Sequence, residues 1–453
     1  MALAGNSEGV TEHAQTSIWL ISALTAAAFG LTLGVFYPGV MSEDARYVYE
    51  DIAKGFLGDW QSPVMTVLWS IIDPIAPGTG SMFLLTIAIY WLAFGLLAFK
   101  MAQRSLPLAL ALLLLALSPP AFVFLSMVWR DVLFAGTWLL AGALCLAFGK
   151  KEDRPPTSIQ LVALALLGFG VLLRPNALLA APMLGVYIAW PSKFSLKRAM
   201  VMFVPAAVGL SALVYFVYYV ALGAQRQHIV QTIMVFDLGG ISHFAKENQF
   251  PVSWTASETT LLTTRCYRPT DWTSYWNHGP CLFVMRRLEQ EKLFGSPAIV
   301  QAWTRAIVSH PGAYLQHRAT FMWNFLAGTN STLWTGDAED SSKAVFAGNT
   351  AVGALRTTHD ALRSTPLFLP GSWLLGCIAV TALAWRRRKT SSGAFAIGVC
   401  GSATIYVLSF FAVGVTADFR YVYWAVLASI TGSLVLALAS RAVSAEGVVR
   451  QET

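Results

Sequence analysis

Glu43 and Asp44 are neighbours in the segment Phe36-Tyr-Pro-Gly-Val-Met-Ser-Glu-Asp-Ala-Arg46, a few residues beyond the first long apolar run. Two carboxylates just outside a bilayer are costly to desolvate, and they suit proton transfer from a hydroxyl or capture of a divalent cation. Asp44 is the better base, because it stands where the apolar run gives way to an amphipathic stretch, and Glu43 could orient it. The same residues also admit a plainer account, in which Ser42 caps a helix and two acids favour its dipole.

A second acid stands in Trp129-Arg130-Asp131, beyond Ser118-Pro-Pro120. Asp131 either faces the first carboxylate across a cavity or forms a snorkelling pair with Arg130. Arg174 in Leu-Leu-Arg-Pro-Asn176 and Arg420 in Ala-Asp-Phe-Arg-Tyr421 add further guanidinium groups at the ends of apolar runs. Guanidinium forks can hold a phosphate or diphosphate bidentately. The alternative is an intramembrane salt bridge, with Asp418 and Arg420 an obvious local pair.

The elements that must position these side chains are membrane helices. The chain has 453 residues, of which 56% are hydrophobic and 12% charged, with a mean hydropathy of +0.57. A soluble domain carries about twice that charge fraction. Apolar runs long enough for helical spans fall near 17–37, 80–100, 105–118, 131–149, 157–173, 177–191, 199–222, 366–385, 393–414 and 420–440. The reading is an all-α membrane protein, a polytopic bundle of about ten transmembrane helices. Its first run is a retained anchor rather than a cleaved signal.

The net charge is +7, and its distribution sets the topology. With a cytoplasmic N-terminus, one set of turns receives Lys100, Arg104, Lys150, Lys151, Arg154, Lys193, Lys197, Arg198, the run Arg386-Arg387-Arg388-Lys389, and Arg441. That is the positive-inside pattern, so these basic runs mark topology and not a nucleic-acid surface. Glu43, Asp44, Asp131, Arg174 and Arg420 then share the other face. So does the long segment 223–365, which carries His228, His243, His278, His310, His317 and His359.

Three units follow: an N-terminal membrane module 1–222 with a first outer loop 38–79, an extracytoplasmic segment 223–365, and C-terminal membrane helices 366–453. In the first outer loop, Ala45–Phe56 reads as an interfacial amphipathic helix, Asp59–Pro63 as a turn, and Val64–Ile72 as a second short helix. Within 223–365, Tyr267, Trp272, Tyr275 and Trp276 mark an ordered aromatic loop. Ser296-Pro297 opens a helix that breaks at His310-Pro311. Gly328–Val345 reads as a polar loop. Cys266 and Cys281 share the outer segment, where a disulfide or two reduced buried thiols would both fit. Cys145, Cys377 and Cys400 lie in apolar runs as small buried thiols.

There is no glycine-rich phosphate loop, nucleophile elbow, His-Glu-x-x-His or Cys-x-x-Cys motif, and the histidines lack metal-ligand spacing. What the chain does carry is an ordered set of short outer-face motifs. These are Tyr37-Pro-Gly39 with Asp44, Asp59-Trp-Gln-Ser-Pro63, Trp129-Arg-Asp131, Ala302-Trp with His310-Pro-Gly-Ala-Tyr-Leu and Arg318, and Asp418-Phe-Arg-Tyr421. Their order and sidedness resemble the GT-C superfamily of glycosyltransferases, in which Gln61 and Ser62 stand where His and Pro are often found.

The resemblance implies an inverting transferase of the bacterial inner membrane, working on the extracytoplasmic side. Sugar would pass from a polyprenyl-phosphate donor to a hydroxyl of a cell-envelope glycan, lipid or protein. Asp44 would be the general base, with Glu43 and Asp131 the other candidate acids. Arg130, Arg174 and Arg420 would bind the donor phosphate, and Tyr47, Trp60, Gln61, Trp272 and Tyr421 would contact substrate. No cofactor is required, although Glu43 and Asp44 could hold a divalent cation. A lipid-diphosphate-dependent polymerase or ligase would share the face and the arginines. A lipid-linked glycan flippase would instead place charges inside its spans.

Overall fold

The computed structural model describes residues 5–149, 155–276, 279–329 and 342–451. Lys150, Lys151, Arg154, His278 and most of the polar loop 328–345 lie outside the described residues, as does the side chain of Arg441.

Nearly every described element is helical. In chain order the N-terminal part comprises α1 (Gly5–Phe36), β1 (Val40–Met41), α2 (Glu43–Lys54), α3 (Pro63–Ile72), α4 (Gly80–Ala102), α5 (Leu106–Ala116), α6 (Pro119–Phe122), β2 (Met127–Val128), α7 (Arg130–Phe148), α8 (Thr157–Leu173), α9 (Ala181–Ala189) and α10 (Leu196–Tyr215). The outer segment adds α11 (Val230–Ala245), α12 (Ala256–Thr264), α13 (Leu282–Gln290), α14 (Pro297–Ser309), α15 (Pro311–Ala327) and α16 (Thr350–Leu362). The chain closes with α17 (Pro370–Trp385), α18 (Ser391–Val413) and α19 (Tyr423–Gln451).

Among the described residues six helices are long and apolar enough to cross a membrane, and a seventh span results if α5 and the bent segment Pro119–Ser126 are taken together. This corrects the expectation of about ten. The stretch at 105–118 turns by 61° where Ser118-Pro-Pro120 interrupts the helical hydrogen bonding. The stretch at 177–191 is split between a 3₁₀ turn, Pro175–Leu179, and the nine-residue α9. Helices α8 and α17 are apolar but fall below full span length.

The bundle is built by α4 against α1 and α7, α7 against α8, and α18 between α17 and α19. Its centre is aromatic. Trp138 meets Trp424 edge to face at 5.8 Å, and the Trp424 indole donates to Ser402 Oγ at 3.1 Å. Gly170 is required beside Trp138, since a Cβ there would overlap the indole. The Tyr423 hydroxyl donates to the Ala121 carbonyl at 2.6 Å, tying α19 to the bent segment.

The first outer loop follows its local sequence signals. Ser42 caps α2 by accepting from the Ala45 amide at 3.2 Å, and Gly55 ends the helix at φ 62°. Ser62 caps α3 with Pro63 at its first position. In the outer segment Ser296 caps α14, and the chain breaks at His310 before Pro311 opens α15. Cys266 and Cys281 are joined by a disulfide.

Candidate functional site

Two short strands bring the first acid to the second acidic motif. β1 and β2 pair in parallel with Val40 opposite Met127 and Met41 opposite Val128. Asp44, three residues past β1, therefore lies beside Trp129-Arg130, directly after β2. The tight turn that follows α18 adds Asp418 and Arg420 from the opposite end of the sequence.

Asp44 sits in the first turn of α2, yet capping is not its principal interaction. Arg420 Nη1 donates to Asp44 Oδ2 at 2.8 Å, and Gln61 Nε2 donates to Oδ1 at 3.1 Å. Burial pushes the Asp44 carboxyl up. The charges of Arg420 and Arg130, with the hydrogen bonds from Arg420 and Gln61, outweigh that and hold its pKa at about 2. The Arg420 side chain is 16% exposed and that of Asp44 is 36%, so the pair is reachable from outside.

Glu43 points elsewhere. It is exposed and accepts from the Tyr47 hydroxyl at 3.0 Å, one turn along α2. The two adjacent carboxylates therefore do not converge on one point, and Asp44 has a guanidinium where a cation would have to bind. Among the described residues no group of three or more His, Cys, Asp or Glu side chains could hold a metal ion. Tyr47 is likewise outward, 39% exposed and away from the cavity described below.

Asp131 does not face Asp44 across open space. It is 4% exposed and forms an ion pair with Arg174, which is 8% exposed. The Arg174 guanidinium also lies 4.9 Å from the centre of the Tyr421 ring, and the Arg420 guanidinium lies 5.0 Å from it. Arg420 Nη2 donates to the Tyr421 hydroxyl at 3.1 Å, and its guanidinium lies 5.1 Å from the Trp129 ring. Tyr421 thus stands between two cationic centres. The local pair is present but secondary: Asp418 Oδ2 is 3.7 Å from Arg420 Nε, and Asp418 Oδ1 chiefly accepts the Arg420 amide at 3.0 Å.

A cavity of about 250 Å³ opens beside this arrangement, lined by Trp60, Gln61, Arg130, Arg174, Asn176 and Tyr421 among others. Arg130 is the distinctive member. Among the described residues its guanidinium has no hydrogen-bond or ion-pair partner, whereas Arg174 and Arg420 are both engaged by carboxylates. A partly exposed guanidinium on a cavity wall suits an anionic ligand.

The lining also includes Asp59 and Trp60 of the first outer loop and Ile229, Val230, Thr232 and Ile233 of the outer segment. Asp59 accepts from the Tyr219 hydroxyl at 2.7 Å and from the Gln227 amide at 2.6 Å. Trp60 stacks on Trp276 at 5.7 Å and lies 6.2 Å from Trp272. Trp60 lines the cavity, while Trp272 is 8% exposed and serves as packing behind it. Tyr275 is fully buried and unavailable to any ligand.

Sequence reasoning named Asp59 only as the start of a turn motif and Asn176 only beside Arg174, and did not single out Tyr218 or Tyr219. It named Arg318, Trp303 and His317 in its motifs but did not connect them to Asp237, with which they form a buried charge cluster behind the cavity. Arg318 Nε lies 2.6 Å from Asp237 Oδ1, Trp303 Nε1 donates to Asp237 Oδ2 at 2.7 Å, and His317 Nε2 lies 3.1 Å from Asp237 Oδ1. Burial lowers the His317 pKa although Asp237 opposes the shift, so Arg318 is the standing counter-charge. Arg318 Nη1 donates at 2.7 Å to the carbonyl of Gly414, which lines the cavity. A Cβ on Gly240 would overlap the His317 ring, so glycine in α11 makes room for the cluster. The available signal was the His-Arg dipeptide about two turns into α15, following the Pro311 start.

No family model matches the chain, and no curated relative matches it. Among solved structures, ArnT from Cupriavidus metallidurans bound to undecaprenyl phosphate aligns over 88% of this chain and 77% of its own, at 15% identity and a TM-score of 0.33.

Proposed function

We propose that this protein is an inverting glycosyltransferase that takes a sugar from a polyprenyl-phosphate donor at the extracytoplasmic membrane face. The observation that carries the reading is the Arg130 guanidinium, unpartnered on the cavity wall beside the Asp44–Arg420 pair. The donor phosphate binds Arg130, with Arg174 and Arg420 as flanking charges. Trp60, Gln61 and Tyr421 border the sugar.

In the reaction the acceptor hydroxyl oxygen forms a bond to the anomeric carbon while the bond from that carbon to the phosphate oxygen breaks. The electron pair leaves with the polyprenyl phosphate, and the guanidinium groups stabilise its charge. The hydroxyl proton goes to Asp44.

A carboxylate held at about pKa 2 is ionised but weakly basic. Phosphate binding remedies this, because the anion competes for Arg420 and Arg130 and returns Asp44 toward ordinary basicity. Base strength is thereby linked to occupancy of the donor site.

The reading is tested with purified protein in nanodiscs and a panel of radiolabelled donors comprising polyprenyl-monophosphate sugars, polyprenyl-diphosphate sugars and nucleotide sugars. Transfer or slow hydrolysis of a monophosphate donor alone is the expected outcome. Turnover only with diphosphate donors would replace it with a polymerase or ligase, and vectorial movement of intact donor without bond cleavage would replace it with a flippase.

A further inference from the structure

A second cavity lies away from this site, within the apolar depth of the bundle between α8, α9 and α10. It has a volume of about 290 Å³ and is lined by Leu164, Leu167, Gly185, Trp190, Met202 and Leu210 among others, with no charged side chain. Its outer wall is the span Leu196–Ala221, whose most apolar stretch has no residue buried within the protein. That helix therefore contacts lipid along its length while leaving space on its inner side.

The groove has a direction. Along α9 its lining runs from Ala181 to Trp190, about 13 Å at the helical rise. That is close to half of the ~30 Å hydrocarbon core, the depth of a single leaflet. The Trp190 end is cationic: the Arg198 guanidinium stacks 4.7 Å from the Trp190 ring, and Lys193 and Lys197 are exposed beside it. The Phe194 amide also donates to the Arg388 carbonyl at 2.7 Å, which brings the basic run 386–389 to the same end. By the positive-inside pattern this end faces the cytoplasm.

We infer that the groove binds one acyl chain of an anionic glycerophospholipid from the cytoplasmic leaflet, with the headgroup phosphate at Arg198, Lys197 and Lys193. A one-leaflet apolar slot explains the chain, and the cations at its mouth explain the preference for an anionic headgroup. The site is separate from the donor cavity, and the inference stands whether or not the protein transfers sugar.

The test is native mass spectrometry of the full chain, titrated with phosphatidylglycerol or phosphatidylcholine of matched acyl chains. The expected result is a one-to-one phosphatidylglycerol adduct retained at least tenfold better than the phosphatidylcholine adduct. Lys197→Gln and Arg198→Gln should each weaken phosphatidylglycerol about fivefold. Gly185→Leu should remove both lipids; a Cβ at Gly185 makes only ordinary contact with Leu167, so the longer side chain fills the groove. Equal retention of the two lipids by the wild type would overturn the inference, as would undiminished binding by a Gly185→Leu variant that keeps its melting temperature. Displacement of phosphatidylglycerol by one equivalent of polyprenyl phosphate would also overturn it and assign the groove to a prenyl tail. Photoactivatable phosphatidylglycerol on the wild type covers the case of a variant that fails to fold: crosslinks at Leu164 or Met202 support the site, and crosslinks only elsewhere reject it.

Discussion

Arg420 Nη1 and Asp44 Oδ2 lie 2.8 Å apart although 376 positions separate the two residues in sequence. This contact joins the first outer loop to the turn before the last span, and it sets the charge state of the proposed base.

The pH dependence follows from that contact. The folded-state pKa of Asp44 lies below its ordinary 3.8, so its ion pair stabilises the fold fully above about pH 4 and less as pH falls toward 2. The kcat/KM profile, which reports the free enzyme, should show no Asp44 limb above pH 4. The kcat profile should show an acid limb displaced upward, because bound phosphate draws Arg420 and Arg130 away. Coincident limbs would argue that donor binding leaves Asp44 untouched.

Arg130 and Arg174 should separate cleanly. Arg130→Gln removes a guanidinium that has no direct partner among the described residues but whose charge lowers the Asp44 pKa, so stability should fall by no more than about 1 kcal/mol while donor affinity falls at least tenfold. Arg174→Ala leaves Asp131 buried and unpaired, which costs about 3–5 kcal/mol. Thermal melting in detergent, read beside donor-binding isotherms, distinguishes the two; equal destabilisation would contradict the assignment.

Asp237 is fully buried against Arg318 and His317. Asp237→Ala should destabilise by about 3–5 kcal/mol and release the Gly414 wall of the cavity. Proteolysis near 414 should accelerate in this variant and not in Arg130→Gln.

The Cys266–Cys281 disulfide closes a loop with a sequence separation of 15. Its removal by Cys266→Ser with Cys281→Ser should cost about 3 kcal/mol. An unchanged melting temperature would show that the surrounding packing alone holds the loop.

Local signals in the sequence translated directly into structure. Ser42, in the plainer of its two readings, and Ser296 each cap the helix expected of them, whereas Ser62, read as part of a turn, also caps α3. Asp44, the motif at 129–131, Arg174 and the motif at 418–421 converge while Glu43 turns outward, because each converging group lies at or just beyond one end of an apolar helix. Partner choice was not legible. Asp131 lies beside Arg130 in sequence but pairs with Arg174, since the first turn of α7 and the end of α8 approach through tertiary packing. Asp418 is two residues from Arg420, yet the closer partner is Asp44, because Asp418 is committed to capping its own turn. The span count was overestimated where Pro119, Pro175 and Pro182 interrupt apolar runs, since hydropathy alone does not register broken hydrogen bonding. Asp237 was hidden because α11 reads as an ordinary apolar helix, and only Arg318 and Trp303, from distant helices, give its charge a place.

The most direct measurement is transfer from a labelled polyprenyl-phosphate sugar by purified wild type and Asp44→Asn, at matched donor occupancy. Asn keeps the shape of the side chain and removes its basicity. Turnover by the wild type, with at least a hundredfold loss in the variant despite intact folding and donor binding, is the predicted result. Comparable turnover by both would contradict the role of Asp44 and leave the Arg420 contact as a structural tie.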